Sequence, residues 1–75
     1  MDNNDILKKV RYALDLKDSA MVKMFKSGGV EMSRLELAAA FGDEEDQGYR
    51  KLSNEELLSF LDGLILDRRG DKNGK

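Results

Sequence analysis

The sequence predicts an all-α protein, a compact orthogonal bundle of four short helices. Three observations carry that expectation. Ser-x-x-Glu occurs twice, at Ser33 to Glu36 and at Ser53 to Glu56, each preceded by an apolar residue, Met32 or Leu52. This is a capping box with a hydrophobic staple. The serine oxygen takes an orphan amide of the first turn, and the glutamate reaches back to the serine's own amide. Elsewhere apolar residues recur at helical spacing, and no stretch alternates with the period of a strand. The chain has no proline to break a helix.

The first helix is expected over Asp5 to Leu16, capped by Asn3 or Asn4. At about 100° per residue, Leu7, Val10 and Leu14 share a face, with Ile6 and Ala13 at its edge. Lys8, Lys9 and Tyr12 point away. A second helix follows, capped near Asp18, with Met21, Met24 and Phe25 as its buried stripe. Gly28-Gly29 stops it, because glycine accepts a left-handed conformation at a helix end. The third helix opens at the first box, holds Leu35, Leu37, Ala38 and Phe41, and ends at Gly42. An acidic segment, GDEEDQGYRK, leads to the second box.

The fourth helix runs to about Arg68. Leu57, Leu61, Leu64 and Ile65 form its expected inward face. Phe60 and Leu66 lie off that face, on either side of Gly63. A helix apolar around most of its circumference is either central or covered by a partner. Phe60, Gly63 and Leu66 are therefore a candidate partner face, where glycine lets another backbone approach. The competing reading is that the third helix or the tail covers it. Residues 1–69 form one domain, and 70–75 read as a flexible polar tail or linker stump.

Composition narrows the functional classes. A chain of 75 residues has a small core, and without Cys or His it has neither a disulfide nor a zinc site to reinforce it. The usual general base and thiol nucleophile are missing too, so the expectation is a non-enzyme with no cofactor and no small-molecule substrate. MDNNDILKKV is neither a signal peptide nor a membrane span, which suggests a cytoplasmic protein. The net charge of −2 is uneven: +2 over residues 1–26, −7 over 27–67 and +3 over 68–75.

Two segments approach known ligand-binding frames. Asp43, Glu45, Gln47 and Gly48 fall at positions 1, 3, 5 and 6 of a calcium-loop frame. Position 8 is then Arg50, and position 12, which needs a bidentate carboxylate, is Asn54. The segment reads as a solvated connector, with no metal. A helix-turn-helix frame across Gly28-Gly29 buries Leu35 and Ala38, but it also places bulky Phe25 where close packing wants a small residue. Its recognition helix sits in the −7 segment, which phosphates repel. The better nucleic-acid face is Lys8, Lys9, Arg11 and Tyr12.

NNDILKKVRYALDLKD, the acidic loop ending in GYR, and SNEELLSFLDGLI together resemble the YehS-like family of bacterial proteins, a domain-of-unknown-function family. The resemblance runs from Asn3 to about Arg69. It implies that such units usually occur as two tandem copies. The chain then reads as an excised first copy or as a natural single-copy protein. In either case a like copy or a homo-oligomer is the expected partner of Phe60, Gly63 and Leu66. The resemblance implies no activity, cofactor or functional residue. The favoured function is a non-catalytic interaction domain; the alternative is a nucleic-acid-associated regulator using the basic face of the first helix.

Overall fold

A computed structural model describes residues 1–69, which form four helices: α1 (Asn3–Leu14), α2 (Asp18–Ser27), α3 (Arg34–Phe41) and α4 (Asn54–Arg69). The expected all-α class holds. The tail at 70–75 lies outside the described residues.

Both serine boxes form. Ser33 Oγ accepts the Glu36 amide at 3.0 Å while Glu36 accepts the Ser33 amide at 2.9 Å. Ser53 and Glu56 repeat the pair at 3.1 Å in each direction. A third box opens α1: Asp2 Oδ1 accepts the Asp5 amide at 2.9 Å, and Asp5 accepts the Asp2 amide at 3.3 Å. The cap is therefore Asp2, not Asn3 or Asn4, and the helix begins earlier than expected. It also ends earlier. Asp15 adopts a left-handed conformation, φ 53°, and the turn closes through the Leu16 amide onto the Arg11 carbonyl at 3.0 Å. Leu16 is then free to fold back into the core, and Leu14, in the last turn, is exposed.

Helix α2 has no side-chain cap; Lys17 takes that place and Asp18 is its first helical residue. Its other end follows the expected glycine stop. Gly29 has φ 103°, the Val30 amide reaches back to the Phe25 carbonyl at 2.8 Å, and the Gly29 amide reaches the Lys26 carbonyl at 3.0 Å. That is a Schellman motif. Met21, Met24 and Phe25 are buried as the spacing predicts.

The core is built on α2 against α4. Phe25 and Phe60 meet with ring centroids 5.0 Å apart at 48°. Two glycines set the helix separation. A Cβ on Gly63 would collide with the Met24 carbonyl, and a Cβ on Gly28 would collide with the Ser59 carbonyl. Met24 opposite Gly63 and Gly28 opposite Ser59 means that α2 and α4 run antiparallel along their contact. Leu7, Leu37 and Leu52 close the core from α1, α3 and the segment before α4.

Candidate interaction surfaces

The phase of α4 decides where its apolar residues go. Its buried residues are Leu57, Phe60 and Gly63. This corrects the expected partner face: Phe60 and Gly63 lie inside the chain against α2, not open to another copy. The physical reason is Gly63 itself, since the closest helix contact falls where there is no side chain. Only Leu66, 43% exposed, remains outside. Of the expected inward face, Leu57 is buried and Leu61 and Leu64 pack against the core, and only Ile65 turns outward. Leu61 and Leu64 are half-buried there, while Leu58 and Ile65 are 60% and 53% exposed. Leu58, Leu61 and Ile65 lie within about 60° of arc, with Leu66 farther round the helix. The surface left without a partner is thus a stripe on the outer side of α4, and the sequence placed it on the wrong side.

Helix α3 differs from expectation in the same way. Leu35 is 84% exposed and Ala38 is exposed, while Leu37 and Ala40 are buried. The residues a helix-turn-helix would bury therefore face outward, and that frame does not describe α2 and α3.

The basic face of α1 is partly gathered into a groove. Lys8, Arg11 and Tyr12 line it with Ala13, Asp15, Leu16 and Phe41, around a volume of about 810 Å³. Lys9 is exposed on the same helix but does not line it. Arg11 is committed within the chain. Its Nε donates to the Leu16 carbonyl at 3.2 Å, its Nη2 pairs with Asp18 at 3.0 Å, and its guanidinium sits 4.9 Å over the Phe41 ring. That weakens the face as a phosphate binder, because a paired guanidinium must give up its partner to take another. Lys8 and Lys9 are left as its cations.

Asparagine supplies the site residue that sequence reasoning missed. Asn4 is fully buried. Its Nδ2 donates to the Ala40 carbonyl at 2.9 Å and the Arg50 carbonyl at 2.8 Å, and its Oδ1 accepts the Leu52 amide at 2.9 Å. Asn3 beside it donates to the Leu52 carbonyl at 3.2 Å and to Asn54 Oδ1 at 2.8 Å. The pair ties the start of α1 to the end of α3 and to the entry of α4. The signal was present: Asn4 and Leu7 share one helical face.

The charged groups around this junction are structural in character. The Asp5 amide and then the Tyr49 hydroxyl, which donates at 3.2 Å, hold the Asp2 carboxyl below its ordinary range. Partial burial, then the Asp2 carboxylate, pushes the Tyr49 phenol up. A phenol held protonated in this way is the opposite of an activated phenolate. The Ser33 amide and hydroxyl hold Glu36 down. Partial burial pushes Glu56 up, but Arg50 Nη2 at 2.6 Å and the Ser53 amide outweigh it and leave that carboxyl low. Arg50 Nη1 is enclosed without a partner among the described residues. The acidic connector stays exposed, and among the described residues no group of three or more carboxylates or other donors is placed to hold a metal. No helix of the described residues is long and apolar enough to cross a membrane.

Comparison with known proteins adds a family. Residues 3–70 match the profile of a family described as "Protein of unknown function (DUF1456)". The chain is 36% identical over 70 residues to "Uncharacterized protein YehS" of Escherichia coli (strain K12), a match that takes in 93% of this chain and 45% of the relative. The chain thus spans about half the length of that curated relative. No solved structure matches. The match covers α1 through α4, including the Asn3-Asn4 junction and the glycine contact, and on that extent the chain belongs to the DUF1456 family of proteins of unknown function.

Proposed function

We propose that this unit is a non-catalytic interaction domain that pairs with a like unit through the outer stripe of α4. The observation that carries this is the exposure of Leu58, Ile65 and Leu66 on one helix whose opposite side is already buried against α2. Contiguous apolar surface on a small domain is a common mark of an interface. The length of the curated relative supports a like unit as partner, since it leaves room beyond the matched part for another segment of similar size.

Light scattering from micromolar to millimolar concentration tests this. The unaltered chain is expected to gain mass with concentration, and Leu58→Asp or Ile65→Asp is expected to abolish the gain. Leu35→Asp, which changes an exposed leucine on α3 instead, is the control and is expected to leave it intact. A constant monomer mass, or association indifferent to Leu58→Asp and Ile65→Asp, overturns the proposal.

A further inference from the structure

We infer that the pairing is antiparallel and closed: the outer α4 faces of two copies lie against each other about a twofold axis that crosses the helices near Asp62. The inference rests on the pairing reading above and gives it a geometry. At about 100° per residue, Glu55, Leu58, Asp62, Ile65 and Arg69 fall within about 80° of arc, on the side of α4 opposite the buried Phe60. All five are exposed. Leu58 and Ile65 form an apolar line. The three charged residues lie along one flank of that line, with acids at the start and middle of the helix and a base at its end.

The order of charge along that flank selects the arrangement. A twofold axis perpendicular to two antiparallel helices keeps the same flank of each copy on the same side. Asp62 stands midway between Glu55 and Arg69, so an axis there brings Glu55 of each copy to Arg69 of the other and Leu58 to Ile65. Two opposite-charge pairs then enclose the apolar contact, against one like pair where Asp62 meets Asp62 at the centre. Side by side in parallel, the charged flank of one copy would face the Leu57–Leu64 flank of the other and find no counter-charge, and the helix dipoles would oppose the contact. Glu55 and Arg69 of one chain are about 21 Å apart along the axis, too far to pair with each other. The ion pairs among the described residues engage Asp18, Glu56 and Asp67, not Glu55, Asp62 or Arg69.

Charge exchange between copies decides the geometry. Sedimentation equilibrium at low salt is run on the unaltered chain, on Glu55→Lys, on Arg69→Glu, on an equimolar mixture of those two variants, and on Asp62→Asn. Far-UV circular dichroism checks that each is helical. The unaltered chain is expected to stop at a dimer. Each reversal alone turns both end pairs into like pairs and is expected to lower the association constant at least about fivefold. The mixture is expected to recover the unaltered association as a one-to-one complex. There the introduced lysine meets the introduced glutamate, and the retained Arg69 meets the retained Glu55. A helix merely frayed by either substitution does not recover on mixing. Asp62→Asn, which relieves the central like pair, is expected to tighten the dimer about twofold or more. Association unmoved by either reversal, a mixture no tighter than its components, growth past the dimer, or weakening by Asp62→Asn overturns the antiparallel geometry and leaves pairing itself intact. An unaltered chain that stays monomeric at millimolar concentration overturns both.

Discussion

Asn4 shows how much of this fold depends on one amide. All of its useful capacity is spent: two donors on the Ala40 and Arg50 carbonyls and one acceptor on the Leu52 amide, with no solvent to substitute. Asn4→Ala removes the partner of three backbone groups and is expected to cost about 2–4 kcal/mol by urea denaturation. Asn4→Asp is expected to cost more than Asn4→Ala. It keeps the shape but sets a carboxylate with no donor against two carbonyl oxygens. The residue was hard to see in the sequence because its type suggests a cap, although its register is that of the core. The carboxylates give a pH prediction. Asp2, Glu36 and Glu56 are all held below their ordinary range, so they stabilise the fold above about pH 4 and lose that effect as pH falls through their lowered values. Tyr49 is raised, so its contribution is present below its ordinary value and disappears as pH rises through the raised one. Melting temperature is expected to be flat from about pH 5 to 9 and to fall below about 4, less steeply in Glu56→Gln.

At the scale of the element, α4 separates what the sequence could say from what it could not. Its start was legible, because Ser53 and Glu56 name it with two hydrogen bonds. Its phase was not. Apolar residues occupy most of its circumference, so several choices of inward face bury similar area, and the smallest residue settles the choice. Gly63 sits at the closest approach to α2, which puts Phe60 in the core and Ile65 outside. The contrast is measurable. Phe60→Ala is expected to cost about 3–5 kcal/mol, and Ile65→Asp to change monomer stability by no more than about 0.5 kcal/mol, both read by chemical denaturation. Gly63→Ala and Gly28→Ala are each expected to cost more than about 2 kcal/mol. In both cases the added carbon meets a backbone carbonyl, which cannot swing aside as a side chain can. Helix α1 makes the same point at its start, where Asp2 and Asp5 build a box from aspartates, outside the Ser-x-x-Glu pattern that located the other two.

Over the whole molecule, the all-α class and the order of four helices were legible because each helix carries local signals: boxes, glycine stops and apolar spacing. Which surfaces remain free was not legible, since that depends on how α2 and α4 seat together and on where Arg11 finds its partners. The charge distribution leads to one further expectation. With Arg11 engaged and the segment over residues 27–67 at −7, fluorescence anisotropy of a labelled duplex or single strand is expected to stay flat even at low salt. A rise that is abolished by Lys8→Glu/Lys9→Glu and by added salt would establish nucleic-acid binding through the α1 face instead.

The reciprocal glycine contact also bears on how the chain folds. Phe25 and Phe60 meet across 35 positions of sequence, so the central helix pair forms only after a long loop has closed. Each helix carries its glycine where the other presents a bare carbonyl. A slip of one position therefore drives a side chain into backbone at two places at once. The two glycines are thus expected to disfavour shifted alignments of α2 and α4 and so to widen the gap between the native packing and its neighbours.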